Sequence, residues 1–191
     1  MSTPVLHLLA GPNGAGKSTF VVEVLQPVTH LPFVNADVIA REQWPGAETE
    51  HAYDASRVAA GRRERLMAAR ASFITETVFS HPSKVELVGH AVAVGYVVQL
   101  HVILVPETVL VARVAGRVAQ GGHDVPEHKI RERYTRLWPL VAAARDLADR
   151  TTFYDNSRAS TPFRVVATYE RGRLVGNPAW PIWTPSSLRA P

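Results

Sequence analysis

The stretch from Leu6 to Phe20, LHLLAGPNGAGKSTF, decides the fold of this chain. An apolar run of strand character ends in a glycine-rich turn, and a segment of helical character begins at Lys17. The turn completes the pattern G-x-x-x-x-G-K-[ST], in which backbone N–H groups and a helix N-terminus surround the phosphates of a nucleotide. In such loops the lysine reaches the β- and γ-phosphates and the next hydroxyl is a Mg²⁺ ligand, which assigns these tasks to Lys17 and Ser18. The predicted nucleotide-binding residues are Gly11, Pro12, Asn13, Gly14, Ala15, Gly16, Lys17, Ser18 and Thr19.

Short β-branched or aromatic runs alternate with helical segments on either side of this loop. The predicted strands are 5–10, 31–37, 72–78 and 95–105, and the predicted helices are 17–26, 37–43, 50–71, 82–93, 106–119 and 126–149. Alternation of this kind predicts right-handed βαβ crossovers and a mostly parallel sheet covered on both faces. We therefore expect an α/β fold, a P-loop kinase-like three-layer sandwich, in one domain over 1–191.

The last part of the chain follows a different pattern. Segments 151–157 and 163–175 favour strands, with a turn at the letters ERG of 170–172. The proline-rich tail of 176–191 is incompatible with a regular helix or an interior strand through its stretch GNPAWPIWTPSS. We expect its tryptophans, Trp180 and Trp183, to pack on the surface of the domain.

Composition limits the classes of function. The chain has 191 residues, 46% of them hydrophobic, and a formal net charge of +4, which permits a nucleic-acid partner without indicating one. Absence of cysteine excludes disulfides, thiol catalysis and cysteine-bound zinc. Neither a long apolar run nor a secretory signal is present, so we expect a cytoplasmic protein without a membrane partner.

Polar residues stand where two predicted strands end. Because ligands of open α/β sheets bind outside the carboxyl ends of the strands, these residues are candidates for an acceptor site. Asn35 and Asp37 follow the second strand, and Asp37 is either a general base for an acceptor hydroxyl or a helix N-cap. Glu76 and Thr77 end the third strand, where the carboxylate would orient Mg²⁺ through water or hold a substrate hydroxyl.

An arginine-rich segment, ARVAGRVAQGGHDVPEHKIRERYTRLW, indicates a helical lid over about 113–133. Arg113 and Arg117 are four residues apart and share a helix face, while glycines and Pro126 interrupt the helix between them and Arg133. Arginines on both flanks of a mobile turn suit closure over a γ-phosphate, and a solvated helical hairpin is the alternative. At most one of Arg131 and Arg133 should face the site, because two residues apart they lie on opposite faces.

Two further residues remain open at this stage. His123, between the lid glycines and the proline, either contacts phosphate and substrate or caps the turn. Asn156, in the letters FYDNS of 153–157, either lines the adenine pocket or forms an Asx-turn at the end of a strand.

In order and spacing, the motifs AGPNGAGKST, FVNAD, the ET strand, GGHDVP with its flanking arginines, and YDNS resemble the zeta-toxin family of P-loop kinases, over roughly 5–157. The resemblance implies ATP and Mg²⁺ as cofactors, transfer of the γ-phosphate to the 3′-hydroxyl of a UDP-sugar such as UDP-N-acetylglucosamine, and an antitoxin partner. It also implies Asp37 as general base, Glu76 as the acidic residue on the substrate side, and Arg113 or Arg117 with Arg133 as lid arginines. One position differs, because Ala60 and Gly61 stand where the large toxins carry a further acidic substrate residue.

These observations predict an ATP-dependent kinase of a small hydroxyl acceptor. Two alternatives remain at this stage. One is a kinase for a nucleoside, a dinucleotide or a nucleic-acid end, and the other is a regulatory module that binds ATP without transferring phosphate. A basic nucleic-acid binder is the weakest reading, since the arginines are not interleaved with aromatic residues.

Overall fold

The computed structural model describes residues 3–119 and 126–189. Within them, seven strands form one sheet: β1 (Val5–Ala10), β2 (Phe33–Val34), β3 (Phe73–Thr77), β4 (Val97–Leu104), β5 (Arg150–Asp155), β6 (Arg164–Glu170) and β7 (Arg173–Val175). Their order is β2-β3-β1-β4-β5-β6-β7. The first five strands are parallel and the last two are antiparallel. The predicted α/β class with a mostly parallel sheet is confirmed.

Helices fill most of the connections. They are α1 (Lys17–Phe20), α2 (Gln26–Thr29), α3 (Ala36–Gln43), α4 (Ala52–Ala68), α5 (Ser83–Ala93), α6 (Glu107–Ala119), α7 (Glu127–Leu147) and α8 (Ser186–Arg189). A π-helical turn, Val21–Leu25, joins α1 to α2. Among the described helices, none combines the length and the apolarity that crossing a bilayer requires.

Two apolar clusters cover the two faces of the sheet. Leu6 and Leu8 of β1 point into the larger cluster, which contains residues from the helices α3 to α8. Leu9 points to the other face, into a smaller cluster with Phe20 and Val21 of the P-loop helix. The helix α1 and the π-helical turn after it therefore pack on one face while α3 to α8 contribute to the cluster on the other, which gives the three layers.

Local chemistry explains where the elements differ from the prediction. The second strand is shorter than 31–37 because Asn35 already caps α3. The helix predicted over 17–26 contains the π-helical turn because Pro27 has no N–H to donate to the carbonyl of Glu23. The predicted turn after Glu170 is confirmed, with positive φ at Arg171 (48°) and Gly172 (74°), as a tight hairpin needs.

The tail packs back on the domain. Trp180 lies edge-on to Phe153 of β5, with ring centroids 5.0 Å apart, and both tail tryptophans contact the larger cluster, as predicted. The expectation that 176–187 contains no regular helix is wrong at its last two residues, since the one-turn helix α8 begins at Ser186. Pro185 directly precedes this turn, in a position where a missing N–H costs little.

Candidate active site

The P-loop fits its place only with glycine at two positions. Gly11 has φ of +148°, and a Cβ atom there would lie 2.7 Å from the backbone oxygen of Ile103 in β4. Gly16, the N-cap of α1, has φ of +96°, and its Cβ would lie 2.6 Å from Nδ2 of Asn156. The loop therefore turns closely against the end of β4 and against the segment after β5, where a side chain at either position would have no room.

Lys17 is buried within the loop that it serves. Its Nζ donates to the carbonyl oxygens of Gly11 at 3.0 Å and Pro12 at 3.1 Å. Burial lowers the pKa of the Lys17 ammonium, while the negative charges of Glu76 and Asp37 act in the opposite direction. Two carboxylates thus face the lysine that the motif assigns to the phosphates.

Glu76 contacts the P-loop directly. β1 and β3 are parallel neighbours in which Leu9 pairs with Glu76 and Ala10 with Thr77, so the loop and the end of β3 meet at one edge of the sheet. There the Ser18 hydroxyl donates to Oε2 of Glu76 at 2.8 Å. The sequence left open whether Glu76 orients Mg²⁺ or holds a substrate hydroxyl, and the structure adds this contact with the predicted Mg²⁺ ligand.

The first turn of α3 separates the roles of Asn35 and Asp37. Oδ1 of Asn35 accepts hydrogen bonds from the backbone N–H groups of Asp37 at 2.6 Å and Val38 at 3.2 Å. The cap that the sequence left open for Asp37 is therefore made by Asn35, a buried residue. The carboxylate of Asp37 instead lines the cavities described next.

Two connected cavities share the P-loop edge. The nucleotide-side cleft, of about 850 Å³, is lined by Lys17, Ser18, Asp37, Glu76 and Arg133 among others. The acceptor-side pocket, of about 310 Å³, shares Lys17, Asp37 and Glu76 with the cleft and extends between α4, β3 and α5. The shared residues form the boundary between the two cavities.

Asn156 and Arg113 brace the P-loop from outside. Nδ2 of Asn156 donates to the carbonyl of Ala15 at 2.8 Å, and Arg113 donates to the carbonyls of Gly14 at 3.2 Å and Asn156 at 3.0 Å. The Asx-turn that the sequence suggested for Asn156 belongs to Asp155, whose Oδ1 accepts from the N–H of Ser157 at 2.9 Å. Asn156 thus contacts the backbone of the P-loop, and Arg113 donates hydrogen bonds to the P-loop and to Asn156.

Arg131 and Arg133 of the predicted lid face different surroundings, as their spacing of two residues predicts. Arg133 lines the nucleotide-side cleft, whereas Arg131 forms ion pairs with Glu107 at 2.9 Å and Glu127 at 2.6 Å. The side chain of Arg117 and the whole of His123 lie outside the described residues. Their predicted roles stay predictions.

Sequence reasoning missed two cations of the acceptor-side pocket, Arg63 of α4 and Lys84 of α5. Thr77, which was predicted there, also lines it, and its hydroxyl accepts from the N–H of Phe79 at 3.3 Å. The only signal for Lys84 is the rarity of lysine, since the chain has three. Arg63 has no signal at all, because arginine is abundant and only the packing of α4 against the sheet brings it to the pocket.

The donor set suits Mg²⁺. Within the described residues no group of three or more His, Asp or Glu side chains is placed to hold a metal by itself. Mg²⁺ at a nucleotide usually keeps several waters and takes only one or two protein oxygens beside the phosphates. The Ser18 hydroxyl and the adjacent Glu76 carboxylate meet that requirement.

Several solved structures share this fold. The PezAT toxin–antitoxin system of Streptococcus pneumoniae contains a chain that is 15% identical, with a TM-score of 0.65 over 86% of this chain and 72% of that one. A chain of the AvrRxo1-ORF1:-ORF2 complex with ATP is 16% identical, with a TM-score of 0.68. The match covers 91% of this chain but only 60% of the AvrRxo1 complex chain. A gluconokinase from Sinorhizobium meliloti 1021 gives 19% identity and a TM-score of 0.54, over 83% and 86% of the two chains. At these identities the likeness shows the fold.

Sequence comparison reaches the family level. No curated protein sequence matches the chain. The model of the AAA_33 family, described as an AAA domain, matches residues 6–140, which include the P-loop, both strand-end carboxylates, the arginines of α6, and Arg131 and Arg133 of α7. With a P-loop kinase-like fold and this match over more than half of its length, the chain belongs to the AAA_33 family.

Proposed function

We propose that this protein is an ATP-dependent kinase that phosphorylates a hydroxyl group of a small acceptor. The observation that carries the proposal is the boundary between the two cavities, where Lys17, Asp37 and Glu76 face both the P-loop cleft and a separate pocket. A protein that only binds nucleotide needs the first cavity, whereas phosphoryl transfer needs a second one beside the γ-phosphate.

In the proposed reaction Asp37 accepts the proton of the acceptor hydroxyl. The hydroxyl oxygen forms a bond to the γ-phosphorus as the bond from that phosphorus to the β–γ bridging oxygen breaks, and ADP leaves. Lys17 and Arg133 stabilise the negative charge of the transferred group, while Arg113 holds the backbone of the P-loop. Mg²⁺, held by Ser18 and oriented by Glu76, would neutralise charge on the phosphates.

For the acceptor we propose a UDP-sugar such as UDP-N-acetylglucosamine, with an antitoxin as protein partner. The motif resemblance to zeta toxins supports this proposal. So does the likeness of fold to chains from PezAT and AvrRxo1-ORF1:-ORF2, both of which are solved with a second protein. The gluconokinase likeness keeps other hydroxyl acceptors in the test, since that enzyme type has the same fold.

The test is an ADP-release screen over UDP-sugars, free sugars, nucleosides and dinucleotides, with the product identified by mass. We expect acceptor-dependent ADP release, with a product that is heavier by one phosphoryl group. Lys17→Ala should abolish ATP binding, whereas Asp37→Asn should keep ATP binding and lose about 10²- to 10⁴-fold in turnover, the usual contribution of a general base. Glu42→Gln, an exposed change one helix turn away on α3, is the matched control.

Three outcomes would contradict parts of this function. ATP binding without ADP release for any acceptor would favour the regulatory module. Unchanged turnover in Asp37→Asn would remove that residue from the chemistry. A product formed from a nucleoside, a dinucleotide or a free sugar, and none from UDP-sugars, would replace the acceptor while leaving the kinase in place.

A further inference from the structure

The acceptor-side pocket contains two cations that form no ion pair within the described residues. Arg63 of α4 and Lys84 of α5 both line it, and both are half-buried. Among the described residues, neither side chain forms an ion pair or a hydrogen bond that would hold its charge. A cation withdrawn from water without a partner costs free energy, so such a pair is expected where a ligand supplies the opposite charge.

The electrostatics separate these two cations from the P-loop lysine. Burial lowers the pKa of Arg63 and of Lys84, and the positive charge of Arg63 lowers the pKa of Lys84 further. The charge of Glu64 acts on Arg63 in the opposite direction, and burial is the larger effect. Lys17 is different, because the charges of Asp37 and Glu76 favour its protonated form. The pocket thus has carboxylates at its P-loop end and mutually repelling cations on its α4 and α5 side.

The chemistry of the lining selects a class of ligand. A guanidinium binds a carboxylate or phosphate through two parallel hydrogen bonds, and an ammonium adds a compact charge beside it. The hydroxyls of Ser56 and Ser80 line the same pocket and offer further donors. A neutral sugar would leave both cations unpaired, whereas an anionic group would pair with them.

Resting on the kinase function above, we propose that Arg63 and Lys84 form an anion subsite, so that the acceptor is a hydroxyl compound that also carries a phosphate, diphosphate or carboxylate group. The anionic group would bind on the α4 and α5 side, and the hydroxyl would then point to Asp37 at the boundary with the nucleotide-side cleft. Arg63 and Lys84 would set specificity and orientation, and Asp37 would remain the base.

The three lysines of the chain make a direct test. Lys17 lies in the P-loop, Lys84 in the acceptor-side pocket, and Lys129 on the exposed surface of α7. The full chain is saturated with ADP and Mg²⁺, so that the P-loop is occupied, and is treated briefly with an amine acylating reagent. Labelling of each lysine is then quantified by peptide mass spectrometry in the presence of inorganic pyrophosphate, glucose 6-phosphate, gluconate, UDP-N-acetylglucosamine or neutral glucose.

We expect at least one anionic probe to slow the labelling of Lys84 by about tenfold when it is present at ten times its Kd, since only the free fraction reacts. Glucose should have no effect, and Lys129 should label equally in every sample. Which probe protects identifies the group as diphosphate, monophosphate or carboxylate. Arg63→Gln should lose the protection, while Arg62→Gln, the same charge change on the neighbouring residue, should keep it.

Failure of this proposal is distinct from failure of the kinase function. Unchanged Lys84 labelling with every anionic probe would overturn the subsite even if ADP release is found. Equal protection in Arg63→Gln and Arg62→Gln, with melting temperatures that show both to be folded, would overturn it too. Protection of Lys84 without ADP release for any acceptor would support the subsite and refute the kinase.

Discussion

His101 makes the stability of the nucleotide face depend on pH. It lies in a polar row on the side of the sheet that carries the P-loop helix, with its Nε2 3.1 Å from Nδ1 of His7 and its Nδ1 3.2 Å from the hydroxyl of Tyr154. The ring of Phe20, the last residue of α1, packs over it with centroids 5.6 Å apart. Only 7% of His101 is exposed, so its protonation would place an unsolvated charge under the P-loop helix.

The size of the effect follows from the pKa. Burial and the nearby positive charges of His7 and Arg150 lower the pKa of His101 from 6.5 to about 3. The unfolded chain therefore binds a proton below pH 6.5 that the folded chain does not bind, so the free energy of unfolding decreases as pH falls toward 3. Between pH 7.5 and pH 5.0 His101 lowers the free energy of unfolding by about 2 kcal/mol in this way. The value depends mainly on the pKa of the histidine in the unfolded chain, because His101 of the folded chain stays neutral at pH 5.0.

The assay is urea denaturation at pH 7.5 and pH 5.0 for the wild-type chain, for His101→Gln and for His90→Gln, in which an exposed histidine changes. From pH 7.5 to pH 5.0 the wild type and His90→Gln should lose about 2 kcal/mol more than His101→Gln, whatever the stability of that variant at pH 7.5. The same pH dependence in all three proteins would refute the assignment of a neutral, buried His101. Binding of an ATP analogue should follow the unfolding curve at pH 5.0, since Phe20 connects the histidine to the P-loop helix.

Three further changes test the construction of the site. Asn156→Ala leaves the carbonyl of Ala15 in the P-loop without its hydrogen bond, at a cost of about 1–3 kcal/mol. ATP affinity measured by equilibrium binding should therefore fall about 5- to 150-fold. Asn177→Ala, which changes an exposed asparagine, is the control and should leave the affinity unchanged. Glu76→Gln keeps an acceptor for the Ser18 hydroxyl but removes the negative charge. The Mg²⁺ concentration that gives half-maximal ADP release should therefore rise about 10- to 100-fold. An unchanged Mg²⁺ titration would remove Glu76 from the metal site. Gly11→Ala places a Cβ 2.7 Å from a backbone oxygen of β4, and should abolish ATP binding and lower the urea midpoint.

The sequence predicts the parts of the site whose chemistry is local. The P-loop is contained in one strand, one turn and one helix start, so its residues are read from neighbours along the chain. Glu76 and Asp37 follow from their positions at strand ends, because parallel strands bring their carboxyl ends together. Even the division of Arg131 and Arg133 follows from helix spacing alone.

Contacts that depend on packing between distant elements could not be predicted in the same way. Asn156 reaches Ala15 across a separation of 141 residues, and its contact exists because β5 lies beside β4, an order that the alternation of elements leaves open. Arg63 reaches the acceptor-side pocket only because α4 packs on the sheet at one rotation. The sequence left open whether Asp37 caps α3, but the cap is made by Asn35, two positions earlier, which accepts from the N–H groups of Asp37 and Val38.

The charges of the proposed site alternate along the path from donor to acceptor. Lys17 and Arg133 surround the place of the triphosphate, Asp37 and Glu76 form the boundary, and the cations Arg63 and Lys84 lie beyond it. If the boundary were neutral, the cations would form one continuous positive surface, and the phosphates of ATP would bind on either side of it. Two carboxylates at the boundary repel phosphate from the middle and so give each anion its own place. In the proposed reaction the same pair would serve the chemistry, as base and as neighbour of the metal ligand, and would also keep the donor out of the acceptor-side pocket.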